Sequence, residues 1–153
     1  NNLNVMATFT QILYQIVFST KNAEKTMRLE NSEKLYRYIW GILKNKKCKL
    51  YQINGTENHL HILTHVHPTV SVASLIKDIK VSSSTWLKQE KLFPNFISWQ
   101  EGYGAFTYHI QQKDILINYI KKQREHHHTK TFREEYIELL NEHGIEFDEK
   151  YLL

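Results

Sequence analysis

Two strand-like segments joined by a tight turn, at residues 48–54 and 59–66, restrict the fold of this chain more than any other feature. The turn is Asn54-Gly55, a dipeptide typical of two-residue hairpin loops because both residues tolerate the positive φ that such loops need. So short a connection joins antiparallel neighbours, whereas parallel strands need a crossover of about a dozen residues. The sequence therefore predicts an antiparallel hairpin in the middle of the chain.

Strand and helix patterns alternate on both sides of this hairpin. β-Branched and aromatic residues predict a long first strand at residues 9–19. Apolar residues at helical spacing predict a helix from Asn31 or Ser32 to residue 45. A second helix is predicted from the Ser71 cap through residue 87, and a run of serines at 82–84 can interrupt it. Further strands are expected at 96–100 and 105–110, and further helices at 114–127 and 132–143. This order predicts an α+β sandwich, a mostly antiparallel sheet with its helices mainly on one face.

The size and composition indicate a soluble globular protein with a single domain at residues 1–153. Hydrophobic residues make up 41% of the chain, but its apolar runs are too short to cross a bilayer, so no membrane association is expected. Cys48 is the only cysteine, which excludes an internal disulfide and a multi-cysteine zinc site and fits the reducing cytoplasm. The net charge of +4 is modest; its lysine clusters suit phosphate contacts, although solvated helix faces look the same.

The first candidate functional motif is His59-Leu60-His61, at the start of the third predicted strand. Side chains alternate faces along a strand, so the two histidines project from one face and Leu60 from the other. Imidazoles about 7 Å apart along a strand can converge on one divalent ion. In a chain with nine histidines, such a pair can equally pack or form local hydrogen bonds. The motif alone therefore leaves both interpretations open.

A second candidate pair is Tyr119 and Gln123 in the predicted helix at 114–127. The two residues are four positions apart, so they lie on one helix face, one turn from each other. Without context, a half-buried packing tyrosine and a surface glutamine are the more common interpretation.

Several further segments accompany the two pairs. They are, in order, QILYQIVF at 11–18, ING at 53–55, NHLHI at 58–62, IKDIK at 76–80, SSTWL at 83–87, WQEGYGAF at 99–106 and YIKKQ at 119–123. Taken together, from about residue 8 to residue 153, the chain resembles the single-tyrosine HUH transposases. This family comprises the TnpA-like transposases of the smallest bacterial insertion sequences and the REP-associated tyrosine transposases.

The resemblance implies a ferredoxin-like (RRM-like) fold, a reaction and a role for each residue of the two pairs. Tyr119 would attack a phosphodiester of single-stranded DNA, which gives a 5′-phosphotyrosine link and a free 3′-hydroxyl that can later rejoin strands. His59, His61 and Gln123 would hold a divalent ion, Mg²⁺ or Mn²⁺, that polarises the scissile phosphate. The expected activity is that of a metal-dependent single-strand DNA transposase.

The family also implies a substrate and a partner. The substrate would be single-stranded DNA with hairpin ends, and the partner a second copy of the chain, with active sites that can be assembled in trans. If the long first strand lies at an edge of the sheet, its unpaired backbone groups could join the two sheets. The candidate DNA-binding residues are basic or aromatic: Lys77, Lys80, Trp86, Tyr103, Lys121 and Lys122.

Two alternatives stay open. One is a non-catalytic or domesticated single-stranded nucleic-acid-binding protein on the same fold, which metal binding without cleavage would support. The other is a small metal-dependent hydrolase or a metal-stabilised structural protein, which cleavage without a covalent adduct would support. The rival nucleophiles are Tyr103, Tyr108, Tyr136 and Tyr151. None of them has a glutamine one helical turn later on a helix with the setting of Tyr119, so they are interpreted as packing in the core or an interface. The run His126-His127-His128 is interpreted as a polar helix end from which one ring can approach the active site.

Overall fold

The computed structural model describes residues 7–152, so residues 1–6 and 153 of the predicted domain lie outside the described part. In that part, four strands and five α-helices follow one another along the chain. The strands are β1 (Leu13–Ser19), β2 (Lys49–Gly55), β3 (His59–His65) and β4 (Gly104–Tyr108). The helices are α1 (Ser32–Asn45), α2 (Val72–Glu90), α3 (Lys113–Lys121), α4 (Gln123–His126) and α5 (Phe132–Glu142). No helix of residues 7–152 combines the length and the apolar character needed to span a bilayer.

The four strands form one antiparallel sheet in the order β2-β3-β1-β4. The predicted hairpin of β2 and β3 is confirmed, but its turn is displaced. Gly55 is the last residue of β2, where it pairs with Leu60, and the chain reverses at residues 56–58. A Cβ atom on Gly55 would collide with the carbonyl oxygen of His59, so this glycine is needed for close strand approach instead of for the turn itself.

Different helices cover the two faces of the sheet. On one face, Ile16, Phe18 and Ile62 pack with α1 and α2 in the larger core cluster. On the other face, Val17 packs against α5 and Leu63 against α3. Because side chains alternate along β3, His59 and His61 lie on the face of Leu63. The predicted α+β, ferredoxin-like sandwich is confirmed, but its helices do not lie mainly on one face: α1 and α2 cover one face of the sheet, and α3 and α5 cover the other.

β1 does not lie at an edge of the sheet, which was the condition for joining the sheets of two copies through this strand. β1 begins at Leu13 instead of residue 9, and it lies between β3 and β4. Both sides of its backbone are therefore paired, and the edges of the sheet are β2 and β4. The first strand therefore has no unpaired backbone edge through which it could join the sheet of a second copy.

The predicted strand at residues 96–100 is also wrong, because this segment makes a single bridge, between Trp99 and Thr20. Phe96 and Trp99 are both buried in the larger core cluster, although residues three apart in a strand would point to opposite faces. The neighbouring strand is confirmed as β4, with altered ends. The serine run does not interrupt α2, since Ser83 Oγ donates a hydrogen bond to the Ile79 carbonyl within the helix.

The predicted helix at 114–127 is interrupted, because the backbone of Lys122 leaves the helical conformation with φ −95° and ψ 15°. A short helix, α4, resumes at Gln123, whose side chain is fully buried. The last predicted helix is confirmed as α5. Thr131 Oγ1 caps its first turn by accepting from the Glu134 amide, and Gly144, with φ of 65°, follows its end.

Candidate active site

The two predicted histidines are fully buried on β3, with their ring centroids 5.1 Å apart. Their Nδ1 atoms point to amide oxygens: His59 Nδ1 lies 2.7 Å from Asn58 Oδ1, and His61 Nδ1 lies 2.7 Å from Gln15 Oε1. The nitrogen of the Asn58 amide donates to the Ala23 carbonyl, which fixes its oxygen toward His59. Because amide oxygens only accept hydrogen bonds, each Nδ1 carries a proton, and Nε2 is the atom that each ring presents to the site.

Gln123 and Glu135 face these two Nε2 atoms. Gln123 Oε1 lies 3.1 Å from His59 Nε2, and Glu135 Oε1 lies 2.9 Å from His61 Nε2 and 3.5 Å from His59 Nε2. Gln123 Nε2 donates to Glu135 Oε2 at 2.8 Å, which turns the amide oxygen toward His59. The four side chains are buried and form what we call the ligand cluster: His59, His61, Gln123 and Glu135.

Tyr119, the predicted nucleophile, lies at the border of the ligand cluster. Its hydroxyl donates a hydrogen bond to Glu135 Oε2, and its ring stacks on His126 with centroids 4.9 Å apart. Burial, followed by the charge of Glu135, raises the pKa of Tyr119 above its ordinary value, so the phenol is protonated at neutral pH. One chain therefore brings together all four residues that the sequence predicted for catalysis and metal binding.

Glu135 is the residue of this site that sequence reasoning missed. It follows Gln123 by twelve residues, in an acidic stretch where its neighbours are exposed glutamates. One signal was present: Glu135 is in the same stripe of α5 as Phe132 and Leu139, which are spaced three and four residues from it. All three are buried, and an acidic residue on the buried stripe of a helix needs a polar partner.

The charges in the cluster follow from its burial. Burial lowers the pKa of His59 to about 4, so this ring is neutral at pH 7. Burial by itself would raise the pKa of Glu135, but the surrounding His61, His127 and His59 lower it well below the ordinary value. At neutral pH the cluster thus places an ionised carboxylate beside the neutral imidazole of His59.

The donor set fits a divalent cation. One ligand atom from each of His59, His61 and Glu135 lies within 4.8 Å of the others, which is close enough for all three to share one ion. In addition, His59 Nε2 faces two acceptor atoms, Gln123 Oε1 and Glu135 Oε1, while its proton is on Nδ1. Three lone pairs therefore converge without a hydrogen between them, and a cation would satisfy all of them. The buried group could bind a metal.

Two rings of the histidine run approach the site, one more than expected. His127 Nε2 lies 3.2 Å from both Gln123 Oε1 and Glu135 Oε1. His126 is the ring that stacks on Tyr119. His128 is exposed. The run is thus more than a polar helix end, because one of its rings packs against Tyr119 and another contacts the ligand cluster.

The residues predicted to bind DNA do not form one surface. Lys77, Lys80 and Trp86 belong to α2, on the sheet face opposite the ligand cluster. Lys80 Nζ donates to the carbonyl oxygens of Gln100 and Gly102 and lies 5.9 Å from the Tyr103 ring, and Trp86 stacks on Tyr38. Lys121 and Lys122 are exposed at the break between α3 and α4, next to the cluster. Their contacts with DNA stay predictions.

Comparison with known proteins places this geometry in a family. The model of the family described as "Transposase IS200 like" matches residues 8–123, which include Tyr119 and three members of the ligand cluster but not Glu135. Among curated proteins there is no significant match.

Two solved structures are similar in fold. The crystal structure of a protein described as a transposase from Deinococcus radiodurans R1 has a TM-score of 0.61 and 16% identity, covering 78% of this chain and 96% of that one. A REP-associated tyrosine transposase bound to a REP hairpin has a TM-score of 0.60 and 11% identity, covering 81% of this chain and 73% of that one. Because the family model spans well over half of the sequence, this chain belongs to the IS200-like transposase family.

Proposed function

We propose that this chain cleaves and rejoins single-stranded DNA through a covalent 5′-phosphotyrosine intermediate on Tyr119. We further propose that His59, His61 and Gln123 hold Mg²⁺ or Mn²⁺, with the Glu135 carboxylate as an additional ligand. The observation that carries the proposal is the contact of the Tyr119 hydroxyl with the buried ligand cluster through Glu135. A nucleophile and a set of metal donors are in contact, as phosphodiester cleavage requires.

The side chains of the site have separate tasks in this reaction. Tyr119 Oη forms a bond to phosphorus, and the bond from phosphorus to the 3′-oxygen breaks. The phenol proton already points at Glu135 Oε2, which is in place to accept it. A bound divalent ion would polarise the phosphate and stabilise the negative charge on the leaving oxygen. The 3′-oxygen takes a proton from solvent, and attack by a 3′-hydroxyl on the phosphotyrosine later restores a phosphodiester.

A labelled hairpin-bearing single strand tests the proposal. Incubated with the protein and Mg²⁺ or Mn²⁺, the strand should give a protein–DNA adduct on a denaturing gel. A label at the 3′ end should stay with the protein, because the 5′-phosphate of that fragment is bound to tyrosine, and a label at the 5′ end should be released.

Two tyrosine variants complete this test. Tyr119→Phe should form no adduct, while Tyr108→Phe, which removes a hydroxyl that is bonded to Gln15, should retain it. An adduct with Tyr119→Phe would contradict the assignment of the nucleophile. Metal binding without any cleavage would favour the non-catalytic nucleic-acid-binding alternative.

We propose a homodimer that acts in the cytoplasm, where the buried Cys48 stays reduced. Within one chain Tyr119 already contacts Glu135, which supports sites assembled in cis, whereas the family resemblance allows assembly in trans. Mixing Tyr119→Phe with His59→Ala protein separates the two arrangements, once subunit exchange is confirmed by mass. Trans sites would recover adduct formation, since one composite site then has both an intact tyrosine and an intact histidine pair. An inactive mixture would support cis sites.

A further inference from the structure

Two cavities of opposite charge flank the ligand cluster. The first, which we call the basic cleft, measures about 500 Å³, and its walls include the cations of Lys25 and Arg124, the rings of His127 and His128, and one carboxylate, that of Glu57. The second, which we call the acidic cavity, measures about 220 Å³, and its walls include Tyr119, Glu138 and Glu142 as well as Glu135.

The two cavities lie at opposite ends of the cluster along α5. Thr131 and Phe132, at the start of the helix, line the basic cleft. Farther along the helix, Glu135, Glu138, Leu139 and Glu142 line the acidic cavity. Asn58, in the turn just before His59, borders the first cavity, and Gln15 of β1, whose side chain contacts His61, borders the second. A phosphate at the cluster would therefore have one cavity on each side.

The geometry of phosphoryl transfer decides which part of a DNA strand faces each cavity. The attacking and leaving oxygens lie roughly in line, on opposite sides of phosphorus. Tyr119 attacks from the side of the acidic cavity, whose wall it forms. The leaving 3′-oxygen must then point toward the basic cleft.

Building on the function proposed above, we infer that the basic cleft binds the nucleotide on the 5′ side of the scissile phosphate, the one whose 3′-oxygen leaves. Its volume is in the range of pockets that hold small molecules of nucleotide size, about 300–1,000 Å³. Lys25 and Arg124 supply cations for the next phosphate of the strand. The acidic cavity repels the same phosphate with three glutamates, two of them exposed.

The walls of the basic cleft are partly fixed before DNA binds. Arg124 donates from Nη2 to Ser32 Oγ at 2.8 Å, which holds its guanidinium at the cleft. Phe132 stacks on His59 with centroids 4.3 Å apart, so the floor of the cleft is also a wall of the ligand cluster. A nucleoside in the cleft would thus contact side chains that are already positioned against the site of cleavage.

Two substrates that give the same adduct test this subsite. One is the hairpin strand with its normal 5′-side nucleotide. The other is the 3′ fragment alone, its 5′-phosphate esterified with p-nitrophenol, so that the leaving group carries no nucleoside.

Arg124→Ala and Lys25→Ala should slow adduct formation from the strand about tenfold more than from the ester, as expected for the loss of a charge-assisted hydrogen bond. Lys44→Ala, an equal charge change on α1, should affect neither substrate. An equal loss with both substrates, or no loss with the strand, would overturn the inference.

A binding assay that needs no cleavage distinguishes a failure of this inference from a failure of the proposed function. A fluorescent oligonucleotide that ends in the free 3′-hydroxyl, the 5′ product of cleavage, should bind the wild-type chain about tenfold more tightly than Arg124→Ala. Equal affinities would refute the subsite. If the wild type forms no adduct but shows this difference, the proposed reaction fails and the subsite stands.

Discussion

Replacing Glu135 with glutamine removes the charge at the centre of the site while keeping its shape. In the structure, Oε2 accepts from the Tyr119 hydroxyl and from Gln123 Nε2, and Oε1 faces His61 Nε2 and His127 Nε2. A glutamine offers one acceptor oxygen and one donor NH₂ group. It can keep its oxygen toward Tyr119 and Gln123 and turn its NH₂ toward His61, whose Nε2 can accept.

From this geometry we expect Glu135→Gln to have a small effect on the free energy of unfolding and a larger effect on metal affinity. Each contact of the amide retains a partner, so we expect a cost of about 1–2 kcal/mol in the free energy of unfolding, from weaker uncharged hydrogen bonds. The NH₂ group cannot ligate a cation, and the anionic ligand is lost. Metal affinity should therefore fall by at least about 10- to 100-fold, or about 1.4–2.8 kcal/mol.

The assay is titration calorimetry with Mn²⁺, together with urea unfolding of each protein in EDTA. Glu134→Gln is the matched control, because it makes the same change at an exposed position of the same helix. It should leave Mn²⁺ affinity unchanged. If Glu135→Gln binds Mn²⁺ as tightly as the wild type and Glu134→Gln do, Glu135 is not a ligand and the reasoning is refuted.

Three further predictions follow from the same contacts. His61→Ala should lose Mn²⁺ binding in calorimetry and adduct formation on gels, and EDTA should reproduce the loss of adduct; unchanged affinity would contradict the ligand assignment. In EDTA, the free energy of unfolding should fall by about 3 kcal/mol as pH drops from about 6.5 to about 4. In this range His59 takes up a proton in the unfolded state but stays neutral in the folded state, where burial lowers its pKa to about 4. Urea unfolding across this range checks the prediction, and a pH-independent stability would refute it. Binding of a hairpin-bearing single strand should weaken as salt rises, and Lys122→Ala should lower the slope of log K against log salt by about one if this lysine contacts phosphate; an unchanged slope would show that it does not.

The parts of the molecule that local sequence determines could be predicted well. The hairpin of β2 and β3 follows from the short connection between two strand patterns. The shared face of His59 and His61 follows from strand alternation, which operates over two residues. The cap of α2 follows from Ser71, a serine before an apolar helical pattern. The pairing of Tyr119 with Gln123 needs one turn of helix, and both side chains reach Glu135 even though Lys122 interrupts that helix.

The features that were missed depend on contacts between distant segments. Residues 96–100 have strand-like composition, but Phe96 and Trp99 gain more by entering the core together than by pairing along a strand. The central position of β1 depends on β4 arriving beside it from far along the chain. Glu135 reaches His61 across a separation of 74 residues, and no periodicity in sequence encodes that contact.

The position of Glu135 also determines how metal binding and DNA binding influence each other. The family model ends at Gln123, and the residues that it covers place two histidines and an amide in the ligand cluster and a phenol at its border, without a carboxylate. With α5 docked, the ionised Glu135 makes the site anionic, and a phosphodiester that approached it would be repelled. A divalent cation at the same donors would add two positive charges to the single negative charge of Glu135, so the net charge of the site would change from −1 to about +1. The site would then attract the phosphate, in a buried setting where charges are poorly screened. Metal and DNA should therefore bind with positive coupling, each tightening the other by the same factor.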